Sequence, residues 1–260
     1  MTRHIVLWIL PFVLLVTACT PAAEPLSREA EAESADYDEW LAFVAAGDNK
    51  ASNGNYAAAF DNARRDIAAR LTELGFERDA VRQYSVNPEK FPKEDLQPAS
   101  IQTLAKGLQA APKRDPQGCL LYITSHGDPE GVVMGKDKLS PQKLDSMLAE
   151  SCGERPTIIV ISACYSGAFA QQGMLAANRF IMTAARSDRS SFGCSEEDRY
   201  PYFDYCFLTE SRLAAGWIDL ARRIRSCVTH REAELNLEPP SQPQYAVGER
   251  IFSLVQSFPE

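Results

Sequence analysis

Two short apolar runs constrain this chain more than anything else in it: Leu120 to Thr124 and Thr157 to Ser162. Each is too short for a helix and apolar at successive positions, the pattern of a strand buried on both faces in a parallel sheet covered by helices. Between them, Pro141 to Leu148 has helical periodicity, with Ser140 placed to cap it and Pro141 at the first helical position. Strand, helix and strand in that order make a β-α-β unit. Its strands run parallel, so their carboxyl ends share one edge, where open α/β sheets bind ligands. The expected fold class is α/β.

Both strands end in reactive side chains. The first runs on into Ser125-His126-Gly127 and the second into Ala163-Cys164-Tyr165-Ser166-Gly167. Neighbouring strands lie about 4.8 Å apart, so an imidazole and a thiol from these loops would meet as a base beside a nucleophile. Cys164 is expected to open a helix through Gly167 to Ala170, whose free N–H groups would favour a thiolate. His126 would protonate a leaving amine, and the N–H groups of Gly127 and Cys164 would hold an oxyanion. These roles read as a cysteine peptidase. The other histidines, His4 in the leader and His230 near the end of a polar helix, fit no catalytic pattern.

The remaining pattern fills out a single domain of about 220 residues, enough for a substantial core. Strands are expected over 40–45, 81–86, 179–184 and 243–248, and helices over 56–74 (ending at Gly75), 100–110 and 214–235. Apart from Cys19 and Cys164, five cysteines remain: Cys119, Cys152, Cys194, Cys206 and Cys227. An odd number leaves at least one thiol free or bonded between molecules. Cys119 begins the His-bearing strand and Cys152 precedes the Cys-bearing one, so both fall at the edge opposite the reactive groups and are expected to be bonded. The pattern makes no choice among Cys194, Cys206 and Cys227. Zinc is disfavoured because no CxxC pair is present.

The amino terminus sets the compartment. A short basic leader, an apolar core over 5–16 and small residues before Cys19 form an export signal. Val16-Thr17-Ala18-Cys19 resembles the lipobox of bacterial lipoproteins, which implies a signal peptide over 1–18 and lipidation of Cys19. An uncleaved anchor or an ordinary secretory signal are the alternatives. Residues 19–37, rich in Ala, Glu, Pro and Ser, read as a flexible acidic tether, leaving 38–260 as the folded domain. The expected location is the cell envelope, periplasm-facing and held to the membrane by lipid. A formal net charge of −8 argues against nucleic acid as a partner.

The His-Gly after one strand, the Ser-Ala-Cys-Tyr-Ser-Gly after the next, and the run from Thr183 to Cys194 together resemble the legumain-type cysteine peptidases, family C13, relatives of the caspases in clan CD. The resemblance spans roughly residues 38 to 250. It implies a caspase-like three-layer sandwich with a mostly parallel central sheet, a dyad of His126 and Cys164 with Gly127 supplying an oxyanion N–H, and hydrolysis of protein or peptide substrates without metal or organic cofactor. A transamidase branch uses the same dyad, and a non-enzymatic envelope lipoprotein with a caspase-like binding domain is the third reading. The family's acidic positions flanking the nucleophile are Ser162 and Tyr165 here, and 53–59 lacks the family's Arg-His pair, so the asparagine pocket is not expected to persist. Ser190 and Ser191 match a pocket pair. Asp204 lies within one residue of a family aspartate; facing the pocket, it would select a basic residue at the cleavage site. Asn55 is the family-pattern candidate for orienting the imidazole.

Overall fold

The computed structural model of the chain describes Met1 and residues 36–110 and 117–259. The expected signal peptide, the Cys19 lipid site and the tether through residue 35 lie outside the described residues. Among the described residues no helix is long and apolar enough to cross a membrane.

In chain order the elements are β1 (Trp40–Ala46), α1 (Ala59–Glu73), β2 (Val81–Ser85), β3 (Leu96–Pro98), α2 (Ile101–Gln109), β4 (Gly118–Thr124), β5 (Gly127–Asp128), β6 (Gly131–Met134), β7 (Asp137–Leu139), α3 (Pro141–Ser151), β8 (Thr157–Ser162), β9 (Arg179–Thr183), α4 (Tyr202–Glu210), α5 (Trp217–Glu234) and β10 (Gln244–Val247). Seven strands form one sheet in the order β10-β9-β8-β4-β1-β2-β3, with only β10 antiparallel to its neighbour. Every residue of β1, β4, β8 and β9 is buried, as expected of strands covered on both sides.

Alternation sorts these strands between two cores. Trp40, Ala42, Val44, Leu120, Tyr122, Ile158 and Val160 pack with residues of α1, α4 and α5, while Leu41, Phe43, Leu121, Ile123, Ile159 and Ile161 pack with α2 and α3. The result is an α/β fold of three layers. Each fully buried Leu, Ile or Phe in it stabilises the fold by about 1.5–3 kcal/mol. Local signals end the helices where expected. Ser140 and Ser100 accept from the N–H groups of Lys143 and Thr103, at 3.2 and 3.1 Å. Gly75, at φ +108°, lets the chain leave α1 in a left-handed turn.

Differences from the expected elements have local causes. α1 begins at Ala59 rather than at residue 56, because Tyr56 bridges back to Lys50 and the Ala57 N–H bonds the Asn49 carbonyl. β3 ends at a proline and is tolerated because it is the sheet edge. α4 is apolar on most sides, with Phe203, Cys206 and Phe207 buried and Tyr205 and Leu208 beside them, so it shows no stripe to read. Tyr37, assigned by composition to the tether, is fully buried: it stacks on Phe76 at 4.7 Å and accepts from Trp217 Nε1 at 2.7 Å.

Two disulfides join Cys119 to Cys152 and Cys206 to Cys227, leaving Cys164 and Cys194 free among the described cysteines. The first ties the start of β4 to the end of α3. The second ties α4 to α5.

Candidate active site

The chain leaves β1 for β2 through α1 on one face of the sheet and leaves β4 for β8 through α3 on the other. Adjacent strands whose connections diverge open a crevice at their carboxyl ends. His126 comes two residues after the end of β4 and Cys164 two residues after the end of β8, and the register pairs Thr124 with Ser162 at the two strand ends. The Ser125 N–H donates to the Ser162 carbonyl at 3.0 Å. A Cβ on Gly127 would lie 2.4 Å from the Cys164 carbonyl oxygen and 3.0 Å from the Ala163 Cβ. The two post-strand segments are therefore in direct contact at one rim, and only glycine allows it.

His126 is oriented by the loop after β1. Its Nε2 lies 2.8 Å from the Lys50 carbonyl, and its ring meets Phe60 of α1 edge-on at 5.1 Å. A carbonyl only accepts, so Nε2 carries the proton there and Nδ1 is left as the basic nitrogen of the neutral ring. Asn55 does not perform this task. Its side chain donates to Glu196 at 2.9 Å, beside a second donation from Asn53 at 2.8 Å. Those bonds tie the loop after β1 to the loop after β9, on either side of the cleft.

Cys164 is half-buried, and the Ser191 N–H donates to its sulfur at 3.3 Å, with the Ser191 carbonyl and hydroxyl oxygens at 3.5 and 3.6 Å. The helix expected to begin at Cys164 is instead a 3-10 turn over Ser166–Ala170. So short a turn has no macrodipole to speak of, and the sulfur's electrostatic partner is the Ser191 N–H. Tyr165 takes the left-handed conformation at φ 58°, ψ 10°, and its N–H donates to the Arg189 carbonyl at 2.7 Å. For a residue with a side chain this costs about 1–2 kcal/mol, held in place by the surrounding turn. Ser191 is thus the expected pocket residue that meets the sulfur, while Ser190 is half-buried between it and Arg189, whose carbonyl Tyr165 bonds.

Two expected pocket residues do not line the cleft. Asp204 is fully buried and accepts from the Tyr122 hydroxyl and Thr124 Oγ1, each at 2.5 Å. Ser162, only 2% exposed, faces the same carboxylate. Burial pushes the Asp204 carboxyl up to about 6, while the hydroxyls of Thr124, Tyr122 and Ser162 pull the other way. A carboxylate sealed beneath the sheet rim cannot meet a substrate side chain, so the expected preference for a basic residue loses its basis.

The family model described as the Peptidase C13 family matches residues 102–215. Over that segment, which is less than half of the chain, the protein is similar to the C13 peptidase family. The match runs from α2 to just beyond α4 and so contains His126, Gly127, Cys164, Ser190, Ser191 and Asp204. No curated protein matches the chain at a significant level. Among solved structures, this chain is similar to "Crystal Structure of Caspase-1 from Spodoptera frugiperda", with a TM-score of 0.59 and 14% identity over 86% of this chain and 92% of that one. At that identity the likeness shows a caspase-like fold alone. Two contacts of this candidate site leave no trace in side-chain identity. The Lys50 carbonyl and the Ser191 N–H are backbone groups, which any residue would supply.

Proposed function

We propose that this chain is a cysteine endopeptidase in which Cys164 is the nucleophile and His126 the proton carrier. The observation that carries the reading is the close backbone approach of Gly127 to Cys164, which brings the two loops together at one rim inside the segment that matches the C13 peptidase family. Similarity to a peptidase family supports protein substrates. In the reaction, His126 Nδ1 takes the thiol proton and the sulfur attacks the scissile carbonyl carbon. The N–H groups of Gly127 and Cys164 receive the developing oxyanion; the Cys164 N–H has no backbone partner among the described residues. As the C–N bond breaks, the imidazolium gives its proton to the departing amine, leaving a thioester. Water then attacks the thioester, its proton returns through His126, and the acid product leaves the restored thiol. The signal-like leader and the lipobox-like Val16 to Cys19 support placement on the membrane facing the periplasm.

A thiol-reactive peptide probe tests the reading. Labelling is expected on Cys164, abolished by Cys164→Ala and reduced about 10²-fold or more by His126→Ala. Products formed with an added amine separate hydrolysis from transamidation, and hydrolysis is expected to dominate. Labelling that survives Cys164→Ala sinks the proposal and leaves a binding domain.

A further inference from the structure

Thr124 and Tyr122 are same-face residues of β4, and the next side chain in that alternating series is His126. Both hydroxyls end on one carboxylate, that of Asp204 on α4, at 2.5 Å each. Ser162, the register partner of Thr124, faces the same carboxylate and stands two residues before Cys164. Nothing in the peptidase chemistry uses this buried anion. A buried carboxylate is costly unless its oxygens are satisfied, and here the groups that satisfy it sit at the strand ends supporting the imidazole and the sulfur.

We propose that Asp204 is a positioning residue: by holding Tyr122 and Thr124 from below it fixes the axial position and twist of the end of β4, and through it the placement of His126 relative to the loop that carries Cys164. Two bonded points on one strand fix its position and rotation, which a single bond would not. The contact of Gly127 with the Cys164 carbonyl then converts a small shift of the β4 end into a changed distance between ring and sulfur. Misplacement by about 1 Å is enough to cost on the order of 10²-fold in rate. Ser162 belongs to the same support, which is why a buried serine stands at that position.

The inference rests on the cysteine peptidase reading, and its test is arranged so that the two fail separately. Thr124→Val keeps the shape of the side chain and removes one bond; Asp204→Asn keeps the size and removes the charge. For each, kcat and KM on a peptide substrate, the melting temperature, and the rate of Cys164 alkylation by iodoacetamide at pH 6.5 are measured. Expected are a kcat lowered about tenfold with KM within about twofold, an alkylation rate lowered by a similar factor, and recovery of both in Thr124→Ser, which restores the hydroxyl. A kcat and an alkylation rate within about twofold of the parent, with only the melting temperature lowered, overturns it in favour of a purely structural buried acid. If the parent cleaves no peptide the peptidase reading fails, and the alkylation rates still decide whether Asp204 governs the environment of Cys164. Should Asp204→Asn not fold, Thr124→Val and Thr124→Ser carry the test alone.

Discussion

The two rims of the central sheet handle cysteine in opposite ways. At the amino rim, Cys119 at the start of β4 is bonded to Cys152 at the end of α3 and both are buried. At the carboxyl rim, Cys164 and Cys194 remain thiols, half-buried and not bonded to one another. The rims also differ in what they contribute to stability. A bond between Cys119 and Cys152, 33 positions apart in the sequence, restricts the unfolded chain. The carboxyl rim holds a left-handed Tyr165 and a buried Asp204, both of which cost stability and are held in place by their surroundings. One end of the sheet is closed by a covalent bond, and the other carries the free thiol that the proposed chemistry requires.

The largest effect that sharpens this contrast comes from the amino rim. Replacing Cys119 and Cys152 together by alanine is expected to lower unfolding free energy by about 3–4 kcal/mol, as the loss of a bond closing a loop of this length predicts. Per folded molecule, probe labelling of Cys164 is expected to stay within about twofold, because nothing at the carboxyl rim touches this disulfide. Urea unfolding and labelling on the same samples check both halves. A loss of labelling without a loss of stability breaks the division between the rims.

The next effect lies under the carboxyl rim and has a defined sign. The Asp204 carboxyl is raised by burial to about 6 in the folded chain, against an ordinary 3.8. Between these values the native state holds a proton that the unfolded chain releases, so the contribution of this carboxyl to stability is greatest below pH 4, falls as pH rises to about 6, and is flat above. The difference amounts to about 3 kcal/mol. Glu232 is also raised by burial and adds a slope of the same sign, so the measurement is the difference between the parent and Asp204→Asn in urea at pH 4 and pH 6.5. Equal slopes in the two proteins would show that Asp204 is not the group being charged.

How much of this was legible in the sequence depends on which groups act at the site. The β-α-β unit, the positions of His126 and Cys164, and the Cys119 to Cys152 pairing were readable because each depends on side-chain type repeated at a spacing. The environment of those side chains was not. Lys50 holds the imidazole through its carbonyl and Ser191 meets the sulfur through its N–H, and a backbone group leaves no mark on residue identity. Asp204 misled for a related reason. An aspartate near a family pocket position reads as facing substrate, but α4 turns it inward to Tyr122 and Thr124, and only the packing of α4 on the sheet decides that. Cys164 misled through its neighbours. Ala168-Phe169-Ala170 suit a helix, yet the left-handed Tyr165 and the bonds to the loop after β9 confine that stretch to one tight turn.

The smallest predicted effect tests whether the two free thiols differ from each other. Burial is the main cause that pushes the Cys194 thiol up to about 11, with the nearby Cys164 and Asp198 adding to it through their charge. At pH 8 Cys194 is therefore protonated almost entirely, and a protonated thiol does not attack an alkylating agent. Cys164 is held against the Ser191 N–H in the cleft, where a reagent that enters meets the sulfur. Mass spectrometry of the native chain treated briefly with iodoacetamide at pH 8 is expected to show Cys164 modified about tenfold or more faster than Cys194, with Cys119, Cys152, Cys206 and Cys227 unmodified until a reductant is added. Faster modification of Cys194 would place the reactive thiol of this rim outside the dyad. Modification of Cys119 or Cys152 without reductant would remove the difference between the rims altogether.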